Sequence, residues 1–125
     1  MNPPANLRFT SDHEWVAGDG PRVRIGITDY AQDALGDIVF IQLPTLGSTV
    51  AKSASFSEIE STKSVNDVYA PIAGVVVAVN KLLADKPELI NTDPYGDGWI
   101  CEIDCNPSDL EGLLSKEAYM LLLGH

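Results

Sequence analysis

The sequence predicts a mainly β fold, a β-sandwich or flattened barrel with short helices at its flanks. Most apolar residues alternate with polar ones over short runs, which is the period of strands with one buried face. Turns rich in glycine and proline separate these runs. Two longer stretches, near residues 29–35 and 108–122, instead have the spacing and capping residues of helices.

Length and composition bound the possibilities. With 125 residues the chain is long enough for a single core, so we expect one domain spanning residues 1–125. A hydrophobic content of 45% argues against disorder, and no apolar run is long enough to span a membrane. Residues 1–6 have neither the pattern of a secretory signal nor the arginines of a transit peptide. We therefore expect a cytoplasmic protein, although a processed organelle protein would look the same.

The chain is strongly acidic. Eight basic and eighteen acidic side chains give a formal net charge of −10. Phosphates would be repelled by such a surface, so nucleic acid is not an expected partner. The charge favours solubility, and it would also steer encounters with proteins that present basic patches.

The N-terminal region is predicted to form a hairpin. Residues 7–16 lead into its first strand, and glycines at positions 18 and 20 mark the turn. Residues 22–27 then alternate cleanly, so Val23, Ile25 and Ile27 should face the core. Arg22 and Arg24 should face solvent.

A short helix should follow over residues 29–35. Thr28 is suited to cap its start and Gly36 to end it. The inner face of this helix should consist of Tyr30, Ala31, Ala34 and Leu35.

The central region should supply most of the remaining strands. Residues 37–43 form the most apolar run, which Pro44 stops, and residues 46–50 turn into a short strand. A tight turn between Pro71 and Gly74 leads into a strand at residues 75–79. Asn80 should cap a helical turn. Two prolines and two glycines in residues 87–98 predict a loop containing about one helical turn.

Both cysteines lie in a predicted strand, residues 99–105, whose inner face should carry Trp99, Cys101, Ile103 and Cys105. Four positions along a strand separate the cysteines by roughly 13 Å, whereas a disulfide needs Cα atoms within about 7 Å. We therefore expect buried, unreactive thiols and a reducing compartment. A metal site is not expected, because the cysteine spacing does not fit zinc and His13 and His125 are the only imidazoles.

The chain is predicted to end with a helix over about residues 108–122. Ser108 and Glu111 have the spacing of a capping box, and Asp109 lies in the first turn, where the helix dipole favours it. An apolar stripe should pack this helix on the sheets. The stripe consists of Leu110, Leu113, Leu114, Leu121 and Leu122.

The stretch from residue 58 to residue 74 is predicted to be a hairpin with Lys63 at its polar tip. Residues 56–60 and 65–70 alternate with period 2 on either side of a short Ser-Thr-Lys-Ser turn. Such a hairpin holds the amine clear of the protein in a fixed register. A lysine on a polar turn is most often a solvated surface charge, and the spacing alone favours that interpretation.

Residues 60–63 read Glu-Ser-Thr-Lys and are followed by Asp67, a Tyr-Ala-Pro run and Gly74. This pattern resembles the lipoyl-attachment motif of the glycine cleavage system H proteins, in which the lysine carries lipoic acid in amide linkage. The resemblance therefore implies lipoyl attachment at Lys63. A biotin domain would have methionine on both sides of its lysine, whereas Thr62 and Ser64 stand there.

The resemblance extends over nearly the whole chain. Residues 12–15, 26–31, 35–40, 87–91 and 93–99 are all similar to H-protein segments. It implies a barrel-sandwich hybrid fold, shared with biotinyl and lipoyl domains. The short lipoyl domains of acyltransferases would lack the opening hairpin and the terminal helix. Thr62 stands where valine is common, and residues 64–66 replace a run of small residues, so the departures concern recognition of the hairpin.

The resemblance also implies a function, that of a non-catalytic carrier. Lipoate on Lys63 would carry the aminomethyl group from a pyridoxal-phosphate glycine decarboxylase to a tetrahydrofolate-dependent aminomethyltransferase. A flavin dihydrolipoamide dehydrogenase would then reoxidise it. A lipoate ligase or a lipoyl or octanoyl transferase would attach the cofactor. A monomer is the default expectation.

The resemblance assigns residues to the arm and to its hairpin. Glu14 and Asp67, with Asp12 as a further candidate, would line a docking cleft for the amine, because an amine favours carboxylates. Glu60 and Ser61 would take part in recognition of the attachment hairpin. For the aromatic residues, core filling is the expected role. These are Trp15, Phe40, Tyr95 and Trp99.

Other functions remain open at this stage. An H-like lipoyl relay protein of lipoate biosynthesis would need the same lysine on the same hairpin. An interaction domain whose Lys63 is never modified would have the same sequence. An autonomous enzyme is disfavoured, because the two histidines form no nucleophile–base pattern and the sequence has no phosphate-binding glycine loop.

Overall fold

The structure, a computed structural model, describes residues 4–124. The residues at positions 1–3 and His125, one of the two imidazoles, therefore lie outside the described residues. Strands account for most of the regular structure of the described chain. In chain order they are β1 (Arg8–Phe9), β2 (Glu14–Ala17), β3 (Arg22–Ile27), β4 (Ile38–Gln42), β5 (Thr49–Val50), β6 (Ser55–Ser61), β7 (Val65–Tyr69), β8 (Gly74–Val79) and β9 (Cys101–Asp104).

The helices are short. Four α-helices are described, α1 (Asp29–Leu35), α2 (Leu82–Asp85), α3 (Leu89–Thr92) and α4 (Lys116–Leu122), together with a 3-10 helix at Pro107–Gly112. None of the helices in residues 4–124 is long and apolar enough to cross a bilayer.

The strands form two antiparallel sheets. The larger has the order β1-β2-β3-β9-β8-β5, and the smaller has the order β4-β6-β7. Every strand pair is antiparallel, including the non-consecutive pairs β3–β9 and β4–β6. The prediction of a mainly β fold with short flanking helices is confirmed.

Apolar side chains from both sheets form the main core. The inward-facing residues of β3, Val23, Ile25 and Ile27, are at most 4% exposed, as the alternation predicts. They pack with Ile59 of β6 and Ile103 of β9 in one cluster. Arg22 and Arg24 point outward and share the carboxylate of Glu102, at 2.7 and 2.8 Å.

Helix α1 has the predicted bounds. The Thr28 hydroxyl accepts a hydrogen bond from the Ala31 N–H at 3.3 Å, and Gly36 ends the helix with φ of +84°. Ala31 and Leu35 pack against the core, as predicted. Tyr30 and Ala34, also expected on the inner face, are exposed instead.

The C-terminal region differs from the predicted continuous helix over residues 108–122. It forms the 3-10 helix at Pro107–Gly112, capped by Asn106 rather than Ser108, and the separate helix α4, capped by Ser115. The helix is interrupted because the Leu114 backbone pairs with Phe9, with an N–H···O distance of 2.8 Å in each direction. This pairing requires an extended segment between the two helices.

The predicted leucine stripe is only partly correct. Leu110 is 2% exposed, and Leu113 and Leu114 pack partly buried against the two cores. Leu121 and Leu122, by contrast, are 74% and 49% exposed. The residue of α4 that is buried is Tyr119, which packs in a second core cluster with Leu7, Phe9 and Trp15.

The two cysteines are free and buried, as predicted. Cys101 lies in β9 and Cys105 directly follows that strand. Burial raises the pKa of the Cys101 thiol to about 12, so it remains protonated. Trp99 lies outside the strand, and its ring is covered by the Arg24 guanidinium at 4.2 Å.

Residues 80–98 contain one helical turn after Asn80, α2, and one within residues 87–98, α3, as predicted, and each buries a residue in the main core, Leu83 and Ile90. Asn80 holds this region in place. Its amide donates to the carbonyls of Asp97 and Trp99, each at 2.7 Å, and its carbonyl oxygen accepts from the Leu82 N–H at 3.3 Å. The bond to the Leu82 N–H satisfies a backbone donor at the start of α2, as the sequence predicts for Asn80.

Candidate functional site

Lys63 lies in the turn between β6 and β7, as the period-2 pattern predicts. The turn is built around Ser61, which is only 7% exposed. Its hydroxyl accepts hydrogen bonds from the backbone N–H groups of Lys63 and Ser64, each at 3.2 Å, and donates to the Ser64 carbonyl at 3.3 Å. Ser61 therefore fixes the backbone that carries the lysine, and its contact with an attaching enzyme stays a prediction.

The tip of the hairpin is tied to the rest of the protein on one side. The Thr62 N–H donates to the Asp37 carbonyl at 3.0 Å, while the Lys63 side chain is exposed. Gly36 lies directly beneath it, because a Cβ added there would be 3.0 Å from Lys63 Cε. The lysine stem thus lies over the end of α1, where glycine leaves room for it.

A cleft of about 200 Å³ opens between α1 and the edge strand β7. Much of its wall is apolar, and all four residues predicted for the inner face of α1 contribute to it. Leu35 lines the cleft, and the next residue, Gly36, lies beneath the Lys63 side chain. Lys63 therefore lies at one end of the cleft. Asp12, Glu14 and Asp67, the three carboxylates predicted from the resemblance, also line the cleft.

Glu14 is the buried carboxylate of this group, with 3% of its surface exposed. The Thr10 hydroxyl donates to Glu14 Oε1 at 2.7 Å, and the Tyr69 N–H also donates to the carboxylate. Burial raises the pKa of Glu14 to about 7, against the opposing effect of Thr10, and Asp12 adds to the rise. Within residues 4–124, no lysine, arginine or histidine forms a salt bridge with it.

The other two carboxylates are exposed. Asp67 lies on β7, and its Oδ1 accepts a hydrogen bond from the Ser55 hydroxyl at 2.9 Å. Asp12 lies in the turn before β2, where its N–H donates to the Thr10 hydroxyl at 3.2 Å. All three predicted acids therefore border one cleft, but Asp67, which pairs with Glu58 and bonds Ser55, directs its carboxylate to the outer face of the smaller sheet, and only Glu14 is removed from water.

Sequence reasoning did not find the side chains that hold the turn beside Glu14. His13 has a φ of +69°, and its Nδ1 lies 2.9 Å from the hydroxyl of Tyr119. That hydroxyl is 2.8 Å from the Thr28 hydroxyl, which caps α1. Burial lowers the pKa of His13, opposed by the charge of Asp12. No local pattern signals this group, because His13 and Tyr119 are 106 residues apart.

Three of the four aromatic residues predicted to fill the core do so, and the fourth is exposed. Trp15 is 1% exposed and donates through Nε1 to the Pro94 carbonyl at 2.9 Å, and Tyr95 and Trp99 pack partly buried around it. Phe40, however, is 54% exposed, so its predicted place in the core is wrong. The reason is an irregularity in the β4–β6 pairing between Ile38 and Phe40, which turns Phe40 to the outer face.

Comparison with known proteins places these features in a family. The model of the glycine cleavage H-protein family matches residues 7–125.

The chain belongs to the glycine cleavage H-protein family.

Individual relatives match the chain over nearly their full length. It is 54% identical over 121 residues to a "Glycine cleavage system H protein" of Mycolicibacterium smegmatis, covering 93% of this chain and 92% of the relative. It is 52% identical over 124 residues to one of Listeria monocytogenes serotype 4b, covering 98% and 99%. A crystal structure of the H protein of Mycobacterium marinum has a TM-score of 0.89 at 43% identity, covering 98% of this chain and all of that one.

These findings confirm the family and the fold predicted from the resemblance, a lipoyl-type β-sandwich. H proteins are non-catalytic lipoyl carriers, so this chain is a carrier rather than an enzyme. Family membership supports a lipoyl-carrier role in the glycine cleavage system. In this context the exposed lysine and the acidic cleft beside it are the candidate functional site.

Proposed function

We propose that the chain is the lipoyl-bearing shuttle of the glycine cleavage system, with lipoate in amide linkage on Lys63. The observation that carries the proposal is the position of Lys63. Its side chain is exposed at the tip of a hairpin with a fixed backbone, and it lies at one end of a cleft that contains a buried carboxylate. An attaching enzyme would reach this amine without disturbing the sheets.

The residues present suit the cofactor. Lipoate attached to Lys63 would supply a dithiolane whose disulfide is reduced as it takes up the aminomethyl group left by glycine decarboxylation; the one-carbon unit would then pass to tetrahydrofolate, and the nitrogen would leave as ammonia. The apolar wall of the cleft, formed by residues of α1 with Ile59 and Val68, is suited to the hydrocarbon part of the arm. Gly36 leaves room for the lysine stem at the entrance.

Glu14 would bind the amine of the cargo. A primary amine carries a proton at neutral pH, and a buried carboxylate that forms no salt bridge within residues 4–124 gains strongly from such a cation. The Thr10 hydroxyl and the Tyr69 N–H fix the orientation of this carboxylate. Asp12 and Asp67 would add to the negative potential of the cleft. Held in this way, the labile amine would be shielded from water between enzymes.

The partners follow from this role. They are a pyridoxal-phosphate glycine decarboxylase, a tetrahydrofolate-dependent aminomethyltransferase, a flavin dihydrolipoamide dehydrogenase, and a lipoate ligase or a lipoyl or octanoyl transferase. Tethering replaces diffusion of the intermediate with a high local concentration at each docked active site. We further propose that the chain acts as a cytoplasmic, single-domain monomer.

Glycine decarboxylation by the partner enzyme tests the proposal. With glycine decarboxylase and excess glycine, the lipoylated chain should support release of carbon dioxide in a burst equal to the amount of carrier. Lys63→Arg should give no burst, and Lys81→Arg, a matched control at another exposed lysine, should equal wild type. A lipoylated chain that gives no burst but donates its lipoyl group to other proteins would instead establish the relay function.

A further inference from the structure

The outer face of the smaller sheet carries an exposed apolar pair beside the attachment turn. The register places Phe40 of β4 opposite Glu60 of β6, and Glu60 opposite Val65 of β7. The three side chains therefore form one row across the sheet, next to the turn that carries Lys63. We call this row of Phe40, Glu60 and Val65 the hairpin face.

The exposure of the apolar pair is large. Phe40 is 54% exposed and Val65 is 56% exposed. With neighbouring strands about 4.8 Å apart, the two side chains are separated by roughly 10 Å, with the Glu60 carboxylate between them. An exposed Phe and an exposed Val thus flank a charge, and aromatic residues are enriched in protein interfaces relative to the rest of the surface.

A specific irregularity of the backbone creates this arrangement. Ile38 pairs with Ser61 and faces the core, so strict alternation would also turn Phe40 inward. The register shift between Ile38 and Phe40 brings Phe40 opposite Glu60 instead. Such irregularities are frequent beside functional sites, where they change the direction of one side chain. Phe40 is therefore exposed beside Lys63 instead of being buried in the core.

Apart from the Lys63 amine in the turn, the charges of this face are acidic. Glu58 and Asp67 are exposed and pair in the next row of the same face, behind Glu60. A partner for this surface therefore needs an apolar pocket flanked by basic side chains.

We propose that the hairpin face is the docking surface for the enzyme that attaches lipoate to Lys63; this inference rests on the proposed function. An attaching enzyme must bring its reactive acyl group to the Lys63 amine, so it must cover the residues around the turn. Enzymes that act on the dithiolane meet the far end of the arm and have no such requirement. The hairpin face is continuous with the turn and is therefore assigned to the first kind of partner.

Conservative substitutions test the assignment. Phe40→Thr and Val65→Thr each place a β-branched side chain suited to strands at the position while removing apolar surface. Val75→Thr, at an exposed valine of β8 in the other sheet, is the matched control. Formation of the lipoyl adduct on Lys63 is followed by mass spectrometry with lipoate ligase, lipoate and ATP at varied carrier concentration.

We expect kcat/KM to fall about tenfold for Phe40→Thr and Val65→Thr, mainly through KM, as for an interface hot spot. The control should stay within about twofold of wild type. Once lipoylated at high ligase concentration, the two variants should support the carbon dioxide burst as well as wild type. Unchanged kcat/KM would overturn the docking surface, and an equal defect in the burst would overturn its assignment to the attaching enzyme.

A competition experiment gives a second readout that does not require modification of the variant. Lys63→Arg has no acceptor amine but keeps the hairpin face, so it should inhibit lipoylation of wild type. Lys63→Arg combined with Phe40→Thr should inhibit about tenfold more weakly. Equal inhibition by both would contradict the docking surface. No adduct on Lys63 of wild type would instead contradict the proposed function itself.

Discussion

Glu14 is a carboxylate held out of water beside a lysine-bearing hairpin. Two donors, Thr10 and Tyr69, bind it, but their effect does not offset the cost of burial, and its pKa rises to about 7. The ionised form of such a buried acid is strongly stabilised when a cation binds beside it. A docked amine would lower the pKa again and keep the carboxylate ionised at neutral pH.

Glu14→Gln tests this residue. In the chain loaded with the aminomethyl group and separated from its partner enzymes, we expect loss of that group to be about tenfold faster, since a charge-assisted hydrogen bond is removed. Wild type should approach the fast rate as the pH falls through the pKa of Glu14, which the docked amine holds below about 7, because Glu14 then becomes protonated, whereas the variant should show no such step. Release of ammonia is followed over pH 5–8.

The control for Glu14→Gln is attachment itself, which should proceed at the wild-type rate because the hairpin turn is unchanged. Equal release rates in wild type and variant, with matching pH profiles, would remove Glu14 from the role of amine ligand.

Sequence reasoning succeeded at the residue scale where a motif carries the information. The motif predicted that Lys63 lies on a hairpin, and the resemblance predicted that Asp12, Glu14 and Asp67 lie near one cleft, as they do, whereas their roles stay predictions. Neither could reveal that Glu14 is buried and Asp67 exposed, because β2 and β7 meet only in the folded protein. Phe40 was misplaced because one register shift reverses the direction of a side chain without changing the hydrophobic pattern.

At the scale of elements, α4 positions two segments that line the cleft, and it does so through Tyr119. The Tyr119 ring stacks on Phe9 at a centroid distance of 4.7 Å, and its hydroxyl lies between His13 and Thr28. One side chain of the C-terminal helix thus connects the turn before Glu14 with the start of α1. Both of these elements line the cleft.

Tyr119→Phe should therefore destabilise the protein although the ring remains. The substitution leaves the His13 nitrogen and the Thr28 hydroxyl without their buried partner, and we expect a loss of about 1–3 kcal/mol in the free energy of unfolding. Urea denaturation followed by near-UV circular dichroism measures it. Tyr69→Phe, at a half-exposed tyrosine of β7, should change stability by less than about 0.5 kcal/mol. Equal midpoints for both variants would contradict the structural role of Tyr119.

Local patterns predicted most elements. Thr28 and Gly36 gave α1 its correct bounds, and the alternation of residues 22–27 gave β3 and its buried face. The interruption of the C-terminal helix was not predictable, because it depends on pairing of Leu114 with Phe9 far away in the chain. The exposure of Leu121 and Leu122 follows from the same rearrangement, since Tyr119 takes the buried position of the short α4.

At the scale of the whole molecule, the packed sheets hold one lysine at a fixed and exposed position. The chain has five lysines, Lys52, Lys63, Lys81, Lys86 and Lys116. Of these, Lys63 lies at the tip of a paired hairpin, whereas Lys52 lies in a loop and Lys81, Lys86 and Lys116 lie at helix ends. We propose that this position makes Lys63 the acceptor of lipoate.

Peptide-resolved mass spectrometry after incubation with lipoate ligase, lipoate and ATP tests this assignment of Lys63, with wild type compared to Lys63→Arg. We expect a single lipoyl adduct, on Lys63, that is absent from the variant. No adduct, or adducts scattered over Lys52, Lys81, Lys86 and Lys116, would show that the hairpin is not a recognised acceptor and that Lys63 is not the attachment site.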